Sequence, residues 1–369
     1  MSKALNSARR TSRVVTLVSS TVILGWLTAQ SLKPQSTYRE VARATLQSFQ
    51  GCPVPLRSPA GDLWCVESGG MSVSRYSAAG ALLSRIRIDS VPEAKTGKVT
   101  FLQDVAVDNK NNLYVSGIWR NQPRSFASGI FVFDPAGAYV RTVALSPAIE
   151  LRHAAVDSQG NIYGLGVDGD FVRRRTDYCL LVHKYSPDGK RLTAFSSCPA
   201  GLMLRTPAGT PGPDFMKLPG DVDKGRLWIA GDRVYHLMAS SHILRVFDPA
   251  GKQLQALEFA VPPAPGPTGS LSPIASVSDV ATRVLPLAGG RYMVEWQHTE
   301  MSENTRHSSR YWAMHGATGK AMSDSAPPPL FTVLLSADEA GDCYALSASG
   351  TSAGRPTGLD LIRLRMGEP

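Results

Sequence analysis

None of the five cysteines stands in a CxxC spacing, so the sequence offers neither a zinc ribbon nor a dithiol redox pair. No P-loop pattern occurs, which removes nucleotide hydrolysis of the Walker type. Charge is sparse at 19%, and no basic cluster is interleaved with aromatics, so no nucleic-acid partner is expected. Acidic residues are missing altogether before Glu40, whereas Lys3, Arg9, Arg10 and Arg13 all precede it. Four of the nine excess positive charges therefore sit at one end, and the remaining five are spread thinly.

Those basic residues flank Val14 to Leu32, a stretch without charge. At about 1.5 Å per residue it is just long enough to cross a bilayer core. Basic residues stay cytoplasmic, so the rest of the chain would be exported to the periplasm or outside. Leu27-Thr28-Ala29 is a poor match to a cleavage site, and the apolar length fits an uncleaved signal anchor better. An exported domain permits disulfides. Cys179 and Cys198 flank a predicted hairpin centred on Ser186-Pro187-Asp188-Gly189 and are the expected bond; Cys52 with Cys65 is the less favoured pair. Cys343 takes an aliphatic strand position and reads as a small buried hydrophobe.

What is abundant is turn chemistry, with 33 Gly and 26 Pro. Six times a turn residue is followed three positions later by an aromatic: Trp64, Tyr114, Tyr163, Trp228, Tyr292 and Tyr344. The spacings are 50, 49, 65, 64 and 52 residues, near enough to regular to imply a repeat architecture. A second hairpin signal interleaves with the first. It ends in Gly80, Gly137, Gly189, Gly251 and Gly319, and Phe133-Asp134-Pro135-Ala136-Gly137 is a typical copy. Each unit is then four antiparallel strands, the content of one propeller blade. The expected class is all-β, a six-bladed β-propeller with an N-terminal transmembrane or signal helix.

The expected division is a cytoplasmic tip and anchor over 1–32, a linker or ring-closing strand over 33–50, and the propeller over 51–369. Only one strand, Leu359 to Arg365, is visible after Tyr344. A ring left open would expose strand edges, so the stretch between Ala42 and Gln50 is expected to supply the missing strand. Thr37 to Phe49 could alternatively form a short helix.

Val105-Ala106-Val107-Asp108 with Asn112-Leu113-Tyr114-Val115, and Ala155-Val156-Asp157 with Gly160-Asn161-Ile162-Tyr163, resemble NHL-type repeats of six-bladed propellers. The resemblance covers about residues 51–366. It implies a fold and leaves the activity open, because the matching residues build strands and turns. Relatives of this architecture include gluconolactonase-like metal hydrolases, peptide-amidating lyases and non-enzymatic binding or scaffold proteins. Their enzymes hold a metal near the channel with acids, Asn or His from several blades. Here the channel-side positions offer Asp104 and His153, but equal counting gives Val54, Leu218, Thr282 and Leu334 in the other blades. That departure argues against an enzyme.

Further candidates are His298, Glu300 and His307, which could make a two-His, one-carboxylate metal set. The segment Thr299 to Ser309 also reads as a solvated polar loop. Arg173, Arg174 and Arg175 form a basic run that could meet an acidic partner or lipid headgroups. Asp108 and Asp157 sit at hairpin turns, where Asp bonds its own backbone. Gly350-Thr351-Ser352-Ala353-Gly354 spells a nucleophile elbow without the required strand and helix around it. Gly164 to Gly169 spells a dinucleotide fingerprint without a following helix. No cofactor is expected. The functional expectation is an exported, membrane-anchored propeller binding a protein or small-molecule partner through its loop faces. The alternatives are a metal-dependent hydrolase or lyase at the central channel, and an accessory subunit of a membrane complex.

Overall fold

A computed structural model describes residues 38–47, 52, 54–67, 70–95, 99–122, 125–168, 180–198, 224–263, 276–301, 306–322, 333–338, 341–352 and 355–366. The apolar segment from Val14 to Leu32 and the run Arg173 to Arg175 lie outside these residues. Among the described residues, no helix is long and apolar enough to cross a membrane.

Six antiparallel sheets follow one another along the chain, each a meander whose first strand is innermost. The inner strands are Val54–Arg57, Val99–Val107, Ile149–Val156, Arg226–Ala230, Ser276–Leu287 and Val333–Ala337. Each touches the next around a closed ring, except that blade four reaches blade five through its second strand, Arg233–Met238. Blades one to four and six have four strands. Blade five shows three, with Ala321 bridged to His315 on its outer edge.

The hydrophobic core is not one mass but six layers, one between each pair of neighbouring blades. Trp64, Ile86 and Val73 of blade one pack on Phe131, Val115 and Leu102 of blade two, for instance. The layer between blades six and one closes the circle, with Leu63, Cys65 and Tyr76 against Leu346 and Leu361. Each face of each sheet is therefore apolar, which suits the Val, Ile, Leu and aromatic content of the strands.

The fourth strand of blade six is Tyr38–Thr45, which precedes blade one in the chain and runs antiparallel to Arg355–Met366. Asp360, buried there, accepts hydrogen bonds from Arg43 Nη1 at 2.5 Å and Thr45 Oγ1 at 2.8 Å. The stretch is strand rather than helix, and it begins four residues before Ala42.

The turn residues do more than reverse the chain. The inner turns of blades two, three and six carry an aspartate that gathers the loop. Asp108 accepts from Lys110 N, Asn112 N, Asn112 Nδ2 and the Tyr114 hydroxyl. Asp157 repeats the set with Gln159, Asn161 and Tyr163. Asp338 bonds Asp342 N and the Tyr344 hydroxyl. The repeated tyrosine thus packs its ring between blades and ties its hydroxyl back to the turn. Burial, with Asp108 as neighbour, pushes the Tyr114 hydroxyl up to about 12, so it remains a donor. Replacing Asp108 with Ala strands several buried donors and is expected to cost about 2 kcal/mol, read as a lower urea midpoint.

The outer glycines dock each blade on its predecessor. A Cβ on Gly189 would stand 2.2 Å from the Ala144 carbonyl of blade two, and one on Gly319 would lie 1.9 Å from the Glu258 carbonyl of blade four. Gly80 meets the Thr45 carbonyl in the same way. A matching rung recurs, with Gln47, Ser146 and Ala260 N–H donating to the carbonyls of Gly80, Gly189 and Gly319. Tyr38–Thr45 is thereby treated by blade one as any other outer strand.

Two sequence expectations need correction. In blade four, Leu227-Trp228 lies on the inner strand, opposite Tyr235-His236, so Tyr235 and not Trp228 holds the repeat position. The two rings stack at 5.2 Å. The region Thr299 to Ser309 is not a loop in its described parts: it belongs to paired strands, Arg291–Met301 and Arg306–His315. In blade two, Leu113–Gln122 and Ser125–Phe133 pair along their length as a ribbon. Cys52 and Cys65 form a disulfide, despite being the less favoured pair. Cys198 is disulfide-bonded, and Cys179 lies outside the described residues. Cys343 is a free, buried core residue.

Candidate functional site

Four inner strands bulge relative to their neighbours, at Gln103, Arg152, Thr282 and Leu335, and Val99–Val107 has a further bulge at Thr100. A β-bulge of this kind re-aims the side chain that follows it. The following residues are Asp104, His153, Arg283 and Ser336, all polar at the innermost ring of an otherwise apolar fold. In blade four the position equivalent to Asp104 and His153, two residues before the partner of the repeat tyrosine, belongs to Arg226. Leu218, expected there from equal counting, lies outside the described residues.

These side chains meet. His153 Nδ1 is 3.0 Å from Asp104 Oδ2, which also accepts from Ala154 N at 3.1 Å. A carboxylate only accepts, so Nδ1 carries the proton and the Nε2 lone pair faces Arg226 Nη1 at 3.3 Å. Burial, then the Arg226 charge, holds the His153 pKa below its ordinary value against the pull of Asp104. The imidazole is neutral at pH 7. Asp104 and His153 are thus brought together, as a pair completed by a cation rather than by a third acid.

Beside them, Glu295 on the second strand of blade five is fully buried. Its Oε1 accepts from Thr282 Oγ1 at 2.7 Å, its Oε2 from Leu334 N of blade six at 3.1 Å, and Arg310 stands 4.0 Å away. Arg283 starts on blade five yet lies within electrostatic reach of Asp104 on blade two, the opposite member of the ring. Burial, then the proximity of Arg226, lowers its pKa to about 10, and Arg226 is lowered too, chiefly by burial. Both remain charged at pH 7. Blades two to five thus contribute two guanidiniums, two carboxylates and one neutral imidazole to one polar cluster, with Arg310 at its exposed margin.

His298 and Glu300 come together elsewhere, at one end of blade five, and both are buried. His298 Nδ1 is 2.9 Å from Asp279 Oδ1, and Nε2 is 3.3 Å from Glu300 Oε1. The Tyr311 hydroxyl also donates to Asp279, at 3.1 Å. Each ring nitrogen faces a different carboxylate, the geometry of an ion triad centred on imidazolium. Burial lowers the His298 pKa, but the bonds to Asp279 and Glu300 outweigh it and the net direction is upward. His307 pairs with Glu300 through the backbone register, and its side chain lies outside the described residues. Among the described residues, no three His, Cys, Asp or Glu side chains form a metal-holding group.

The two enzyme-like letter patterns fall in strands. Gly164 and Gly166 lie within Ile162–Asp168, where a Cβ on Gly166 would stand 2.2 Å from the Glu150 carbonyl. Gly350 to Ser352 ends a strand that pairs with Arg355–Met366.

No family model matches the sequence, and no curated protein is similar enough to count as a relative. Solved structures do match in fold. One is a Bacteroides fragilis protein provisionally named as exported, at 11% identity over 92% of this chain and 98% of that one, with TM-score 0.55. Another is a member of the DUF4221 family from Bacteroides vulgatus, at 9% identity over 89% and 98%, with TM-score 0.52. A virginiamycin B lyase from Staphylococcus aureus overlaps at 10% identity over 89% and 99%, with TM-score 0.40. Identities this low show the fold alone.

Proposed function

We propose that this chain is an exported propeller, tethered to the membrane by Val14 to Leu32, that works as a binding module for a protein or small-molecule partner. The observation that carries this reading is the contact of Asp104, His153 and Arg226, brought together from three blades of one ring, with Arg283 and Glu295 of a fourth blade in electrostatic reach. Export is supported by the basic flank of the apolar segment and by the Cys52–Cys65 disulfide. A surface for a larger partner is supported by the long second and third strands of blades two, five and six. They run 9 to 12 residues, against 4 and 5 in blade one, and project as ribbons from one face of the ring. Loops and ribbons on a rigid scaffold are the usual place for recognition.

Cross-linking on native membranes is expected to capture a fixed partner, or a metabolite extract to raise the thermal midpoint. A monomer that captures nothing, yet turns over a hydrolase substrate, would overturn the reading. The second reading, a metal-dependent hydrolase or lyase in the channel, is favoured by the Asp104–His153 contact. It requires stoichiometric metal in the purified protein, lost in Asp104→Asn or His153→Gln; metal analysis showing none ends it.

A further inference from the structure

Among the described residues, nine large apolar side chains are exposed, and five of them hold one position in their blades. Leu83, Val140, Leu192 and Leu254 each stand three residues after an outer-turn glycine, Gly80, Gly137, Gly189 and Gly251, and Met322 stands three after Gly319. In blades one to four this residue is the extra one of a β-bulge in the outermost strand. A bulge frees a side chain from the ladder and re-aims it. Blade six repeats the device, although its outermost strand comes from the N-terminal side: Val41, half-buried, is the bulged residue of Tyr38–Thr45. Exposed apolar side chains scattered singly need no explanation, but a recurrence at one register around the ring does. Equivalent positions in a closed ring of like blades lie on one circle. Neighbouring strands twist by about 20–25°, so three steps turn the outermost strand well away from the innermost, and its free face looks along the ring axis. The six side chains therefore rim one end of the ring.

Two further observations say what covers this rim. Lys190, Lys252 and Lys320 are exposed and stand two residues before Leu192, Leu254 and Met322. No acidic residue stands between glycine and apolar residue in any of the five blades. The rim is thus apolar with a cationic margin, the combination that suits an anionic lipid surface. In the sequence, only residues 33–37 separate Leu32 from Tyr38, a connection that reaches roughly 20 Å at full extension. Val41 follows three residues later, so the blade-six corner of the rim is held close to any bilayer that holds Val14 to Leu32. We propose that the rim rests on the surface of that bilayer, with Val41, Leu83, Val140, Leu192, Leu254 and Met322 set among the headgroups and the lysines on lipid phosphates. This assignment rests on the tether in the reading above and fixes which part of the ring the tether brings to the lipid.

The test uses the full chain in vesicles of phosphatidylcholine and phosphatidylglycerol. Leu192→Cys and Leu254→Cys each take a fluorescent label, and Val277→Cys, comparably exposed but on an inner strand, is the control. Cys343 is buried and leaves the label to the new thiol. Lipids brominated high in the acyl chain are expected to quench the rim labels and to leave the Val277 label bright. Replacing Leu83, Val140, Leu192 and Leu254 together by Ser is expected to abolish the quenching of a label at Met322→Cys. The thermal midpoint of that variant in detergent should stay near the parent's, because exposed side chains contribute little to the fold. Unquenched rim labels on a chain that alkaline carbonate does not extract would overturn the rim and leave the tether standing. Extraction by carbonate would remove the tether and the rim with it. Protection of the labels from iodide in detergent, growing with protein concentration, would place a second copy on the rim and overturn the lipid surface.

Discussion

Acidification from pH 7 to about pH 4 is expected to destabilise the ring by several kcal/mol, through histidines folded in their neutral form. Burial first, then Arg191, pushes the His183 pKa down to about 4; burial first, then Arg245, pushes His236 down to about 3. The ordinary value is 6.5. Above it neither the folded nor the unfolded chain takes up these protons, so the two groups leave stability unchanged. Between pH 6.5 and the folded values the unfolded chain binds protons that the fold refuses, and stability falls as pH falls. The loss is roughly 3 kcal/mol for each group at pH 4, a large share of the total for an ordinary domain. His298 acts with the opposite sign. Its folded pKa is raised, so its contribution is complete below 6.5 and is lost as pH rises through the folded value. One group cannot offset two. Urea midpoints at pH 7 and about pH 4.5 give the direct comparison, and a fall is expected. Replacing His183 or His236 with Leu removes the proton site, so the pH slope of the variant should flatten. Equal midpoints at the two pH values would show that the buried imidazoles accept protons without penalty.

Replacing Gly80 with Ala is expected to cost roughly 3 kcal/mol, far more than the same change at Gly231. Both glycines have positive φ, 82° at Gly80 and 59° at Gly231, so both substitutions carry the left-handed penalty of about 1 kcal/mol. The difference is space. Nothing lies within 4 Å of a Cβ on Gly231, whereas one on Gly80 would collide with the Thr45 carbonyl at 2.2 Å. The obstacle is backbone, so blade one must pull away from the closing strand and break the Gln47 N–H to Gly80 bond of 3.0 Å. Thermal unfolding of the two variants separates the effects. A similar midpoint for both would mean that blade one is not docked on Tyr38–Thr45.

The fold could be read from the sequence because turn residues and aromatics recur with little disguise. Pro135-Ala136-Gly137 and Pro187-Asp188-Gly189 announce hairpins by φ chemistry alone, and Tyr114 and Tyr163 follow Asp-led turns at fixed distance. Blade four misled because its inner strand carries the same apolar–aromatic pair as its second strand. The turn at Gly231-Asp232 before Tyr235 was the signal that could have separated them. The site was only partly readable. Asp104 and His153 emerged from counting back along inner strands. Arg226 was lost with the blade-four register, and Arg283 and Glu295 could not be found by counting at all. A bulge adds one residue to a strand, and an apolar–polar pattern does not mark where it falls. The docking role of Gly80, Gly189 and Gly319 was hidden for a related reason: a turn glycine looks the same whether or not another blade leans on it.

The pairing of Tyr38–Thr45 with Arg355–Met366 also sets an order of events during synthesis. The contact from Thr45 to Asp360 spans 315 positions, so Tyr38–Thr45 waits for Arg355–Met366. Until residues 355–366 emerge, the early strand has no partner, and blade one has no outer neighbour to receive Gly80. Blades two to four can settle on one another as they appear, but the circle stays unlatched. Long-range closure of this kind is slow and leaves a strand edge open to other chains. A chain cut short before residue 355 would keep that edge open for good, so the ring latches only once residues 355–366 are made.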